Sequence, residues 1–182
     1  VVSRTGYTGE LGYELFVPRD RVTGVWRALL EDDRVRPVGL GARDTLRLEM
    51  GYPLYGQDIA ADTTPLEAGL ERFVDMRKSF HGNNALIEQW AGGIRRRLVG
   101  FRTDSRRSPR HGYHVHAGGR AVGSVTSGSF APSLGCGIAL GYVEKAYADP
   151  GIGVVITDGG IELPAIVTEP PFYWDGTART GG

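Results

Sequence analysis

The chain has 182 residues, 41% hydrophobic and 23% charged, which is enough to bury a core as one large domain or two small ones and is unlike a disordered composition. Its 21 Lys and Arg balance 21 Asp and Glu, so no broad electrostatic attraction to nucleic acid or an anionic membrane is expected. No apolar run approaches the roughly 20 residues of a membrane helix; the single cysteine, Cys136, cannot form an internal disulfide, which points to a cytoplasmic home, or the mitochondrial matrix in a eukaryote.

The sequence opens at VVSRTG without Met and already reads as strand, as expected of a piece of a longer polypeptide. After a turn at Gly6–Gly9, Leu11, Tyr13, Leu15 and Val17 alternate with Glu10, Gly12, Glu14 and Phe16, the period of a strand. At Pro18 the period changes: Val22, Val25, Trp26, Leu29 and Leu30 recur at helical spacing behind Asp20, a candidate cap, and DDRVRP ends that helix. A second helix is predicted over Ala42–Met50, with Gly51 as its left-handed stop and Arg43 and Arg47 on a neighbouring face. Thr64, Pro65 and Glu67 form a capping box that predicts a short helix. Glu71–Met76 reads as strand, and Asn83–Trp90 as a helix ended by Gly92–Gly93.

From Arg97 the pattern is all-β: LVGF, YHVHAGGRAVGSVTSG, GIALGYV and VVITDGGIELPAIV are separated by turns, with Ala117–Gly119 and Asp158–Gly160 as hairpin loops. Gly123 and Pro164 mark bulged or edge strands. The chain is therefore divided near Gly93 into an α+β portion, 1–93, an antiparallel barrel or sandwich, 94–175, and a tail, 176–182.

Several segments have chemistry to consider. GLGARD, Gly39–Asp44, lacks the third glycine of a dinucleotide loop and is read as a helix N-terminus. In HGYHVH, His114 and His116 share a strand face that can hold a metal, but neither a carboxylate nor a thiol lies nearby in sequence, so no metal site is assigned and surface imidazoles are expected. The arginines at 95–97 and at 106, 107 and 110 can grip an anion, although such runs are usually solvated. Cys136 is read as a small buried thiol. Glu10 stands out: it points away from the Leu11–Tyr13–Leu15 face and is either solvated or lines a cleft. In a cleft, its carboxylate can accept two parallel N–H bonds from an amino-pyrimidinone or guanidinium-like edge.

Read together, SRTGYTGELGYELFVP, GLGARDTLRLEMGYPLYGQDI, TTPLEAGL, GSVTSGSFAPSLG, IALGYV and PPFY resemble, in order, the C-terminal half of the glycine cleavage system T-protein family of aminomethyltransferases, across Ser3–Tyr173. The resemblance implies a partial folate-binding α+β domain with ferredoxin-like elements followed by a C-terminal antiparallel β-barrel. It also implies an activity: the methylene carbon on the lipoyl arm of the H-protein passes to tetrahydrofolate with release of ammonia. Under it, Glu10 holds the pterin edge, Arg43 of GARD is a second folate contact, and Tyr173 of PPFY returns toward the same site. The family's catalytic aspartate lies in the N-terminal half, so no residue here inherits that role, and an apolar surface is expected where that half would dock. The same folate module occurs in sarcosine and dimethylglycine dehydrogenases, and in a non-catalytic folate-binding protein whose cysteine-containing motif has no counterpart in GYPLYGQD.

Overall fold

The computed structural model describes residues 1–180. Six strands, β3 (Arg96–Thr103), β4 (His114–Ala117), β5 (Arg120–Ala131), β6 (Cys136–Glu144), β7 (Gly153–Thr157) and β8 (Glu162–Thr168), close into an antiparallel barrel in the order β3-β6-β5-β4-β7-β8. Before them come a two-stranded sheet, β1 (Val2–Ser3) with β2 (Glu14–Leu15), and the helices α1 (Val22–Leu30), α2 (Leu40–Glu49) and α3 (Asn83–Gly92); α4 (Thr177–Thr180) follows.

Alternation along the strands sends Val99, Phe101, Val115, Val125, Ile156 and Val167 into the barrel core. The hairpin β4–β5 turns on Gly118 and Gly119, both at positive φ (57° and 80°), as a two-residue loop matched to strand twist requires. Strand β6 is buried on both faces from Cys136 to Val143. Ala139 and Val143 face the barrel interior, while Ile138 and Leu140 join a second cluster outside it with Leu48 of α2 and Phe172. That double burial is why IALGYV reads as a continuous apolar run rather than an alternating one.

Gly123 and Pro164 were expected to mark bulged or edge strands, and barrel closure removes the edge alternative. Pro164 pairs with Val155 on β7 and lies one residue past the end of the β3 ladder at Thr103–Ala165. Gly123 lies beside the shift in register between Val115 and His116; a Cβ there would sit 2.0 Å from the Tyr142 carbonyl oxygen.

The α+β portion departs from expectation in four places. Only Glu14–Leu15 of the alternating run 11–17 pairs as strand, and Tyr13, Leu15 and Phe16 are exposed, because the run meets no second layer among the described residues. Helix α1 buries no residue, its N-terminal flank Arg21 makes no side-chain cap, and Asp20 does not supply one. The Thr64–Glu67 box closes in both directions, Thr64 N donating to Glu67 Oε2 at 3.2 Å and Glu67 N to Thr64 Oγ1 at 3.2 Å, yet it seeds a turn instead of a helix. Glu67 is drawn to the barrel instead, its backbone oxygen accepting from Leu98 N (2.8 Å) and its carboxylate pairing with Arg96 (3.1 Å). Glu71–Phe73 is a single 3-10 turn, not a strand: Phe73 N donates to Leu70 O and Val74 N to Glu71 O, and no strand among the described residues lies alongside. Within the tail, α4 docks on the Gly9–Glu10 turn; Gly181 and Gly182 lie outside the described residues. No helix among the described residues is long and apolar enough to cross a membrane.

Candidate functional site

Helix α2 organises every site residue read from the sequence. Gly39, in extended conformation, starts it without a side-chain cap, so GLGARD is a helix N-terminus. Arg43, on its exposed first turn, lays its guanidinium carbon 4.4 Å from the centre of the Tyr7 ring, a cation–π contact that leaves the N–H edges of the fork available. Arg43 forms no ion pair with Asp44 or Glu49, since Asp44 is taken by Arg47 and Glu49 by Ser133. The Tyr7 ring also stacks on Tyr52 (centroids 5.7 Å apart), and its hydroxyl donates to the Pro53 carbonyl at 2.6 Å. Burial, reinforced by the negative charge of Asp58 and Asp44 and opposed by Arg47 and Arg43, raises the phenol above its ordinary pKa and keeps it a donor.

Glu10 is three residues after Tyr7, and the turn between them is pressed onto the far end of the same helix. A Cβ on Gly9, which has φ +76°, would lie 2.3 Å from Met50 Sδ, so only glycine permits that approach. The Glu10 carboxylate is half-buried and accepts, through Oε2, both the backbone N–H (2.9 Å) and the hydroxyl of Thr177. The Thr177 hydroxyl bond, then the N–H bond, hold the carboxyl below its ordinary pKa against a smaller opposing effect of burial. Tyr173 arrives at the same end: the N–H groups of Phe172 and Tyr173 donate to the Glu49 carbonyl at 2.9 and 3.0 Å. From Arg43 to Met50 is about 10 Å of helical rise, so Arg43, Glu10 and Tyr173 hang from one short rod. A cleft of about 920 Å³ opens beside it, walled by Tyr7, Met50, Tyr52, Phe73, Arg97 and Trp174; Glu10, Arg43 and Tyr173 are not on its walls.

The rod is fixed to the barrel by a buried ionic knot. Arg47, 1% exposed, donates to Asp58 at 2.6 Å, to the Tyr52 carbonyl at 3.1 Å and to Ser127 Oγ at 2.9 Å. Burial works against its charge, but hydrogen bonds and the charges of Asp44 and Asp58 outweigh it and raise its pKa. Asp58 also accepts from Leu54 N (2.9 Å), Ser127 Oγ (2.9 Å) and the Thr126 hydroxyl. The two hydroxyls reach it because β5 carries a bulge between Val125 and Ser127, which re-aims consecutive side chains. The VTSG motif is therefore the barrel's socket for α2.

Two family models match in succession, the GCVT N-terminal domain over residues 1–78 and the glycine cleavage T-protein C-terminal barrel domain over residues 96–173. An aminomethyltransferase of Halothermothrix orenii is 49% identical over 176 residues, covering 94% of this chain and 49% of that protein. One from a Nostoc species is 48% identical over 174 residues, covering 94% and 46%. This chain belongs to the glycine cleavage T-protein family. A solved relative, the glycine cleavage system aminomethyltransferase T from Bartonella henselae, superposes with a TM-score of 0.90 at 38% identity, over 94% of this chain and 49% of that one. The chain spans about half the length of the curated T-protein relatives it matches.

Tyr7, Arg47, Asp58, Ser127 and Thr177 are site-organising residues that sequence reasoning missed. Tyr7 carried a signal, an aromatic three residues before Glu10 in YTGE. Arg47 and Asp58, 11 residues apart, carried none, because nothing local marks a charged pair as buried. The other motifs lie apart from α2's exposed end. The His114 and His116 rings meet edge to face at 6.4 Å, and among the described residues no three His, Cys, Asp or Glu side chains are grouped for a metal. Arg96 and Arg97 pair with Glu67 and Glu71, Arg106 covers Phe130, and the Cys136 thiol is buried.

Proposed function

We propose that this chain is the C-terminal half of a folate-dependent aminomethyltransferase, residues 1–93 completing a folate-binding domain and 94–175 forming its barrel. The proposed reaction passes the methylene carbon of aminomethyl-lipoyl H-protein to tetrahydrofolate and releases ammonia. The observation that carries the reading is the match along 94% of the chain to a solved glycine cleavage aminomethyltransferase with a TM-score of 0.90. The donor set fits the ligand. The Glu10 carboxylate, held ionised, suits the N–H edge of an amino-pyrimidinone, and the exposed Arg43 fork suits a carboxylate or carbonyl portion of the same molecule. Tyr173, tethered through its backbone to Glu49, is a third contact. These residues bind and orient, and orientation of two substrates is itself a large part of such a rate; none of them is assigned a catalytic role.

The test is single-turnover transfer from aminomethyl-lipoyl H-protein to tetrahydrofolate. The intact protein should release ammonia and form methylenetetrahydrofolate, whereas the 182-residue chain alone should do neither. Transfer by the chain alone, or failure of the intact protein to use this donor, would contradict the reading.

A further inference from the structure

The last described segment does more than follow the barrel. After Phe172 and Tyr173 dock on Glu49, the chain doubles back so that Gly176 lies against the Gly9 carbonyl, where a Cβ would come within 2.6 Å. Ala178 N donates to that same carbonyl at 3.0 Å, and Leu11 N donates to Thr177 Oγ1 at 2.9 Å. Thr177 thus accepts from the backbone on one side of Glu10 while donating twice to the Glu10 carboxylate. A carboxylate offers about four lone-pair directions, two on each oxygen. Both Thr177 donors fall on Oε2, so Oε2 is filled, and no donor among the described residues takes Oε1.

We propose that Thr177 is a positioning residue for Glu10: its N–H and hydroxyl lock Oε2, fix the plane of the carboxylate and leave Oε1 to accept from the N–H edge of an amino-substituted heterocycle. The inference rests on the reading of Glu10 as the pterin-binding carboxylate. It refines that reading, since recognition then runs through one oxygen and not through a symmetric two-oxygen fork. Among the described residues, the two Thr177 donors, which lower the Glu10 pKa, and partial burial, which raises it, are the groups acting on that carboxyl.

The experiment has a ligand-free and a ligand-bound arm. In the chain alone, the Glu10 carboxyl is titrated by carbon NMR in the parent, Thr177→Val and Thr177→Ser, with amide dispersion confirming the fold. In the intact protein, the same variants and Glu10→Ala are titrated with tetrahydrofolate. Thr177→Val should move the Glu10 pKa up toward its ordinary 4.5 and weaken tetrahydrofolate binding about 3- to 10-fold, the scale of one net hydrogen bond. Thr177→Ser should restore both. An unmoved pKa in Thr177→Val, unchanged affinity, or tighter binding, as for a segment that competes with the ligand, would overturn the proposal. If Glu10→Ala binds as the parent does, the pterin reading falls while the NMR arm still reports whether Thr177 holds Glu10.

Discussion

Replacing Asp58 with Ala removes the buried counter-charge of Arg47, whose side chain is 1% exposed and 2.6 Å from the lost oxygen. Breaking a buried pair from one side costs about 3–5 kcal/mol, because the remaining ion is left in a medium that solvates it poorly. Asp44, half-exposed and hydrogen-bonded to Arg47 Nε at 2.8 Å, offsets part of this, while Leu54 N loses its acceptor. The net expectation stays near 3–5 kcal/mol, which for a chain of this size lowers the melting temperature by roughly 6–20 °C. Urea unfolding followed by tryptophan fluorescence measures it. The double variant Arg47→Met/Asp58→Leu removes both charges and should recover part of the loss. It should remain about 1–3 kcal/mol below the parent, because Leu54 N still lacks its acceptor, whereas the Thr126 and Ser127 hydroxyls can turn to the Leu140 carbonyl and Gln57 Oε1. A single variant within 1 kcal/mol of the parent, or a double variant less stable than the single, would refute the view that this pair locks α2 to the barrel.

Gly123→Ala drives a methyl into the Tyr142 carbonyl, 2.0 Å away in the present backbone, and should cost about 1–3 kcal/mol or more by thermal melt. Glu49→Ala leaves Ser133 N and Oγ without the carboxylate they bond at 3.0 and 2.7 Å and should destabilise by about 1.5–3 kcal/mol in the same assay. The folded Glu10 pKa lies below its ordinary 4.5, so the Thr177 contacts favour the folded form fully above that pH and lose this contribution as pH falls through the folded value. Hydrogen-exchange protection at Thr177 and Ala178, corrected for intrinsic rates, should therefore decline on acidification below 4.5, and Glu10→Gln should abolish the dependence.

The barrel is legible in the sequence because its signals are local. The pair Gly118–Gly119 at positive φ closes the β4–β5 hairpin, and alternation assigns the faces of strands such as β7 and β8. Helices α2 and α3 are legible for the same reason, each bounded by glycine. Less is legible where tertiary context decides. Thr64 and Glu67 form their box, but Glu67 is committed to Leu98 and Arg96, so the segment stays a turn. Leu11, Tyr13 and Leu15 alternate as a strand should, yet they are 51%, 68% and 42% exposed, and an apolar face without a covering layer does not extend a strand beyond two residues. Trp26 and Leu29 of α1 are in the same position, at 51% and 46%. Glu10 and Arg43 are legible as candidates through their motifs, whereas Thr177 is not. Its relation to Glu10 spans 167 residues, and no periodicity or spacing encodes a contact made by a chain doubling back on its own start.

The most direct measurement is a crystal structure of the intact protein with tetrahydrofolate bound. The pterin N–H edge should lie within hydrogen-bonding distance of the Glu10 carboxylate, with the Arg43 guanidinium on the same ligand. A bound folate remote from both side chains would contradict the account.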